Sequence, residues 1–213
     1  MSVRLRLFCF AALLSAAGAA AASEQWRTAH LRGECDTALA EARGAAEKGE
    51  PEAMLQMSDW HFFGTCLDKN DTESARWALL SAEAGLARAQ VVAGQIRASG
   101  IGVERNAAEA RRWYTLAAEG GDPEGMLLLA KLIEADTADA LAPELALAWV
   151  RRAADRNYAP AYVHLAAIYS GGGAQTDYAE SARWLEKAMQ AGYRDNSVWV
   201  AWSWACLNLG RYD

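Results

Sequence analysis

Residues 108–121 read AEARRWYTLAAEGG, and three other stretches of the chain repeat this pattern around a tryptophan. The related stretches are ESARWALLSAEAG at 73–85, ELALAWVRRAADRN at 144–157 and AESARWLEKAMQAG at 179–192. Their tryptophans are spaced by 36, 36 and 35 residues: Trp77, Trp113, Trp149 and Trp184. A fixed period of this length is the signature of a repeat protein.

Each tryptophan lies on a stripe of small residues. A small residue precedes it by three positions, and small or flexible residues follow it by four and five. Steps of three and four share one face of an α-helix, so the tryptophans are predicted core residues. Eight residues later comes a residue that enters the left-handed conformation cheaply and ends the helix: Gly85, Gly121, Asn157 or Gly192.

A second helix completes each unit. It begins with a proline suited to the first helical turn: Pro51, Pro123 or Pro160. A glycine-containing loop then leads to the tryptophan helix, with Gly64, Gly100 and Gly172 at equivalent places. The residues predicted to cap the tryptophan helix are Asn70, Asn106 and Asp177. The third unit departs, since its loop EADTADALAPE at 134–144 has no glycine.

The predicted fold is all-α, an α/α superhelix (solenoid) of about four and a half stacked antiparallel helical hairpins. We expect a signal peptide at 1–22, an irregular lead-in at 23–34 and the repeat domain at 35–213. Helices are predicted near 35–48, 51–63, 71–84, 87–99, 106–120, 123–135, 143–156, 160–170, 177–191 and 195–209.

The pattern resembles the Sel-one-like repeat (SLR), a longer relative of the tetratricopeptide repeat. The second unit matches its motif best, at Ala89, Gly94, Gly100, Gly102, Val103, Asn106, Ala110, Trp113, Tyr114, Ala117, Ala118 and Gly121. The resemblance covers residues 36 to 210 and implies a non-catalytic scaffold or adaptor that binds a protein or peptide segment. Exported relatives are described mainly in bacteria.

The N-terminus has the layout of a secretory signal peptide. Arg4 and Arg6 precede an apolar run at 7–14, and small residues fill 16–22. We therefore expect a periplasmic or secreted protein without stable membrane insertion after cleavage. Losing the two arginines leaves 21 − 2 = 19 basic residues against 27 acidic ones, a net charge of −8. An acidic chain without a basic block is a poor nucleic-acid binder.

No pattern of residues indicates catalysis, a cofactor or a metal site. His61 takes the place of a packing tyrosine of the family, and His164 has no second ligand three or four residues away. The chain also lacks S-x-x-K, K-T-G, G-x-S-x-G and H-E-x-x-H. The alternative is a hydrolase acting on cell-wall or β-lactam-type substrates. It comes from the resemblance, since some cysteine-rich secreted members of the family have been linked to penicillin binding or hydrolysis.

The resemblance also implies a partner-binding groove, lined by the first helix of each hairpin. Carrying the related repeat's groove positions over gives the following set: Leu55, Asp59, Phe62, Val91, Gln95, Leu127, Lys131, Glu134, Val163, Val198 and Trp202. The last helix reads SVWVAWSWACLNLG at 197–210, and we expect no second helix to follow and cover it. Part of its face is therefore predicted to dock onto a partner or a second copy of the chain, or to fold against a cap. The alternative is that Trp204 is a core residue at the family's tyrosine position, which leaves only two tryptophans in question. The oligomeric state is left undetermined.

A disulfide is predicted between Cys35 and Cys66. Cys35 begins the first predicted helix, and Cys66 follows the end of the next one. The start of one helix lies beside the end of its antiparallel neighbour, which brings the two sulfurs within bonding reach. Cys206 lies in the last helix, too far along the stack to pair, and is interpreted as a small buried apolar residue.

Overall fold

A computed structural model describes residues 25–135, 142–171 and 176–210. The predicted signal peptide, Gly172 and most of the third unit's loop lie outside these residues. All regular secondary structure in the described ranges is helical. The helices are α1 at 25–31, α2 Cys35–Glu47, α3 Pro51–Phe63, α4 Asp71–Glu83, α5 Ala87–Ser99, α6 Ala107–Glu119, α7 Pro123–Glu134, α8 Ala142–Asp155, α9 Ala159–Ser170, α10 Tyr178–Gln190 and α11 Asn196–Asn208.

The ten predicted helices correspond to α2–α11, and each boundary agrees to within one residue. The predicted irregular lead-in is corrected, because α1 is helical. Trp26 and Ala29 on α1 are buried against the first hairpin, and this contact explains why so short a segment folds. None of the helices in the described ranges has both the length and the apolar composition needed to cross a membrane.

Side-chain caps fix where the tryptophan helices begin. The Asn70 side chain accepts a hydrogen bond from the backbone amide of Glu73 at 3.1 Å. The Asn106 side chain accepts the equivalent hydrogen bond from the backbone amide of Glu109 at 3.0 Å. Asp177 accepts from two amides at the start of α10. These bonds satisfy donors that have no partner inside the helix, and they confirm the predicted caps.

The chain divides into two compact units, residues 1–113 (unit 1) and residues 114–213 (unit 2). Consecutive helices within each unit form antiparallel hairpins. In unit 1, Ser81 near the end of α4 donates to the Pro51 carbonyl at the start of α3, at 2.6 Å. In unit 2, Ser181 near the start of α10 donates to the Ala166 carbonyl of α9 at 2.9 Å. The predicted fold class, an all-α solenoid of stacked antiparallel hairpins, is confirmed.

Small side chains let the helices of unit 1 approach closely around two large buried indoles. Ala38, Ala42 and Ala53 are fully buried beside Trp60, which is 1 % exposed. Trp26 packs edge-on against Trp60, with ring centroids 6.5 Å apart. The aromatic cluster therefore joins α1, α2 and α3 into one core.

In unit 2, Leu185 of α10 packs between α9 and α11. It lies in one cluster with Ala166 and Val198, and Trp184 stacks on Tyr162 at 5.7 Å. Cys206 is buried and unpaired, as the sequence predicts. The alternative that Trp204 is a core residue is wrong, because its side chain is 44 % exposed.

The repeated tryptophans only partly fit the core prediction. Trp77 is buried, whereas the later three are half-buried. A basic group lies over each ring, at these distances from the centroid: Arg76 on Trp77 at 4.4 Å, Arg112 on Trp113 at 5.9 Å, Arg152 on Trp149 at 4.4 Å and Lys187 on Trp184 at 4.0 Å. A cation covers one face of each indole where the sequence predicts hydrocarbon, so part of the ring remains at the surface.

Candidate partner-binding cleft

Three of the predicted groove residues, Asp59, Phe62 and Gln95, line one cleft in unit 1. It has a volume of 370 Å³ and lies between the C-terminal halves of α3 and α5, above the start of α4. The other residues that line it are Ser58, Phe63, Ser74, Val92, Ile96, Ser99 and Ile101. Two consecutive repeats therefore build one recess.

The wall of the cleft is largely apolar. Phe63 is 70 % exposed and meets Phe62 edge-on, with ring centroids 5.0 Å apart. Both residues are held at the end of α3, because Gly64 turns the chain with φ of 70° while its amide bonds the Trp60 carbonyl at 2.9 Å. The Lys69 ammonium lies 5.6 Å from the Phe62 ring centroid and covers that ring from one side.

The loop after α5 supplies the opposite wall, through Ile101. This loop is pressed onto the start of α4. At Gly102, φ is 69° and an added Cβ would lie 2.0 Å from the Asp71 carbonyl oxygen. Only glycine allows this approach, so Gly102 fixes where Ile101 stands.

Asp59 is the one charged residue among the described residues that line the cleft, and the Lys69 ammonium covers Phe62 without belonging to that lining. Burial raises the pKa of its carboxyl group, and the positive charge of Arg88 offsets part of that rise. Asp59 also borders a second recess of 290 Å³, whose other side is formed by α1 through Trp26, Arg27, His30 and Leu31. The carboxylate thus stands between an apolar cleft and a charged one.

Two serine side chains form the floor of the cleft. The hydroxyl groups of Ser58 and Ser74 are 3.2 Å apart, and both side chains are buried. No histidine lines the cleft to act as a base. Within the described ranges, no group of three or more His, Cys, Asp or Glu side chains is placed to hold a metal ion. The residues that line the cleft offer apolar contacts and one carboxylate to a bound ligand.

Other predicted groove residues lie in the core. Leu55, Val91, Leu127 and Val198 are buried, so their side chains are not open to a partner. In unit 2, Glu134 is occupied by His164, whose Nε2 lies 2.9 Å from both carboxylate oxygens. The other predicted groove residues of unit 2 are Lys131, Val163 and Trp202. Lys131 is exposed, and Val163 is partly buried and packs on α10.

The register of α11 explains where Val198 and Trp202 lie. In α3, α5, α7 and α9 the predicted groove residues come five, nine and twelve positions after the N-cap. Asp195 caps α11, so Val198 and Trp202 come only three and seven positions after it. In α3 those positions are held by Ala53 and Met57, which are core residues. The same count from the N-cap falls on Val200, Trp204 and Leu207 in α11, and the first two come two residues after the predicted Val198 and Trp202.

The turn before α11 causes this shift. In the earlier units the N-cap follows the helix-ending Gly or Asn directly, as Asp122 follows Gly121. Before α11, Tyr193 and Arg194 stand between Gly192 and Asp195. Phe63 and Ile101 of the cleft were also missed. The available signals were a pair of phenylalanines before a glycine and an isoleucine between two loop glycines.

The disulfide has the predicted partners. Cys35 and Cys66 are bonded, and their α-carbons are 5.2 Å apart. The bond joins the first residue of α2 to the loop after α3, beside the N-terminal core. It lies on the same loop as Lys69, which covers one wall of the cleft.

Comparison with known proteins gives one family and several solved structures. The family model described as the Sel1 repeat matches four consecutive segments, residues 51–86, 87–122, 123–158 and 159–193. These segments begin at or next to the first residues of α3, α5, α7 and α9. No curated protein matches the chain.

Among solved structures, a Sel1 repeat protein from Oxalobacter formigenes is 24 % identical, with a TM-score of 0.78 over 88 % of this chain and 76 % of that one. The protective antigen c5321 of uropathogenic Escherichia coli, described as displaying an SLR fold, is 25 % identical, with a TM-score of 0.73. The match covers 81 % of this chain but only 37 % of the antigen. The immunity protein Pa5087 from Pseudomonas aeruginosa is 19 % identical, with a TM-score of 0.58 over 85 % of this chain and 75 % of that one, and shows a shared fold alone.

Proposed function

The chain belongs to the Sel1 repeat family, and from this premise we propose that it is an exported scaffold that binds a protein or peptide segment in the cell envelope through the unit 1 cleft. Sel1 repeat proteins are generally non-catalytic scaffolds for protein interactions. The observation that carries the proposal is the cleft itself, where partly exposed Phe62, Phe63 and Ile101 surround 370 Å³ of open space.

The lining of the cleft defines the segment that fits it. An aromatic or branched aliphatic side chain would cover Val92, Ile96 and Ile101 and remove apolar surface from water. Asp59 at the edge favours a hydrogen-bond donor, and a lysine or arginine beside the anchor supplies the strongest one. The expected ligand is therefore an apolar anchor with a basic residue within a few positions of it.

Panning a random peptide library on the purified domain, residues 23–213, tests this chemistry. We expect enriched peptides to share the apolar anchor and the nearby basic residue. Phe63→Ser and Ile101→Ser should each weaken binding of a selected peptide about tenfold, as measured by fluorescence anisotropy, because each removes apolar contact at the wall. Asp59→Asn should weaken only the peptides that carry the basic residue.

Leu145→Ser is the matched control, because Leu145 is an exposed leucine that does not line the cleft. Its peptide affinity should equal that of the unmodified protein. Equal affinity in the Phe63 and Ile101 variants would show that the peptide binds elsewhere. Turnover of a chromogenic β-lactam that one point substitution abolishes would favour the hydrolase alternative.

Export is supported by the signal-like order of Arg4, Arg6 and the apolar run at 7–14. The Cys35–Cys66 bond is consistent with it, because disulfides persist in oxidising compartments. Expressed in full in a bacterial host, the protein should be released with the periplasmic fraction. Its first residue by N-terminal sequencing should be Ala21 or Ser23. A chain that keeps residues 1–20 and stays in the cytoplasm would contradict export.

A further inference from the structure

The last helix of unit 2 presents an apolar face that the described residues cover only in part, since the Tyr178 ring of α10 meets Trp204 edge-on with ring centroids 5.1 Å apart. Residues 196–210 contain no charged side chain. Val198, Ala205 and Cys206 face inward and are buried. On the outer side, the exposed fractions are 48 % for Trp199, 69 % for Val200, 44 % for Trp204 and 53 % for Leu207.

Three of these exposed side chains lie on one side of the helix. Val200, Trp204 and Leu207 follow at steps of four and three, which places them on one stripe of the helix. Trp199 lies one position from that stripe and meets Trp202 edge-on at 6.3 Å. Ser203 is exposed near the middle of α11, and on the helix surface it lies between Trp199 and the stripe. An exposed apolar surface of this kind marks an interaction site.

The face has the shape of a helix–helix contact. In the hairpins before it, the second helix covers the first, as α10 covers α9 through Leu185 and Ala166. The Tyr162 ring of α9, at the position equivalent to Trp199, stacks on Trp184 of α10. In α11 the equivalent side chain projects outward. A projecting row of side chains fits the grooves of another helix better than it encloses a single group.

The other described end of the repeat array does not match this face. Exposed residues of α2 carry charge, among them Asp36, Glu41, Arg43 and Glu47. Head-to-tail stacking of two copies would press these charges against an uncharged surface and remove their water without supplying partners. A second α11 brings no charge and presents the same apolar stripe. In an antiparallel pair of α11 helices, the two helix dipoles also point in opposite directions, which is a favourable arrangement.

We propose that α11 pairs with α11 of a second copy of this chain, in an antiparallel twofold dimer centred on Ser203. Twofold pairing is the commonest symmetry of homo-oligomers, and it requires only a self-complementary patch. One helix face per partner is a small interface, so the dimer is weak and depends on concentration. The pairing is independent of the peptide cleft in unit 1.

Sedimentation velocity of residues 23–213 tests the dimer. The weight-average mass should rise from monomer toward dimer between about 1 and 200 µM, as a small apolar interface implies. Val200→Glu and Leu207→Glu should each raise the dissociation constant at least about tenfold, because each places a charge in the contact. Leu145→Glu, at an exposed leucine of α8, should leave it unchanged.

A cysteine at the proposed centre gives a second, independent measurement. Under mild oxidation, Ser203→Cys should form a disulfide-linked dimer that appears on a non-reducing gel, because the twofold axis brings residue 203 of each copy together. Leu145→Cys reports random collisions and should stay monomeric. A protein that is monomeric at about 200 µM, or a dimer that survives Val200→Glu and Leu207→Glu, would overturn the pairing.

Discussion

Replacing Trp60 with alanine should lower the free energy of unfolding by about 3–5 kcal/mol, as truncation of a large core side chain does. Trp60 is 1 % exposed and contacts α1 through Trp26 and His30, with centroids 6.5 and 5.4 Å away. The melting temperature should fall by about 10 °C for a domain of this size. Because α1 rests on this ring, trypsin should also cut faster after Arg27 and Arg32.

Trp60→Phe is the matched control. It keeps an aromatic ring, removes part of the indole volume, and with it an N–H that is buried without a hydrogen-bond partner among the described residues. The loss should be smaller than that of Trp60→Ala, because a smaller cavity is left. A melting temperature that Trp60→Ala leaves unchanged would mean that the indole is not part of the folded core.

Removing the disulfide should have the next largest effect. Cys35 and Cys66 are separated by 31 positions, and closing a loop of that length stabilises the fold by about 3–4 kcal/mol on the chain-entropy model. The double variant Cys35→Ala/Cys66→Ala should therefore unfold at a lower denaturant concentration. Its midpoint in urea, followed by circular dichroism, measures the loss.

Reductant provides the comparison. Dithiothreitol should shift the unmodified protein toward the midpoint of the double variant and leave the double variant itself unchanged. Cys206→Ala should remain sensitive to dithiothreitol, because Cys206 is buried and unpaired. Peptide mapping of the unreduced protein should recover one linked pair. A midpoint that dithiothreitol does not move would refute a stabilising bond.

Repetition made the helices predictable. One unit is ambiguous, but four copies around a tryptophan constrain each other, and the helix-starting proline, the loop glycine and the capping residue each occur in three of the four. Asn70 and Asp177 carry the cap in their own side chains, so the start of those helices could be derived from residue type alone. The disulfide could be predicted from the same regularity. In two antiparallel neighbouring helices, the start of one helix lies beside the end of the other.

Contacts between segments that are distant in the chain were harder to predict from the sequence. The order of residues in α1 gives three core-facing positions at helical spacing, Trp26, Ala29 and His30, but seven residues are too few to form a helix without the rest of unit 1. The cleft needed Gly102 to press its loop onto α4, which no local pattern reveals. The predicted groove residues of α11 are out of register with those of the other first helices, because two extra turn residues moved its N-cap.

The tryptophans of this chain differ in their access to water, and that difference makes them natural optical probes. Trp26 and Trp60 are enclosed in unit 1, whereas Trp199 and Trp204 are open to solvent in unit 2. Iodide should therefore quench the long-wavelength part of the fluorescence first and leave the blue-shifted part from the enclosed indoles. Events at the last helix and at the first hairpin can then be followed separately in one unlabelled sample.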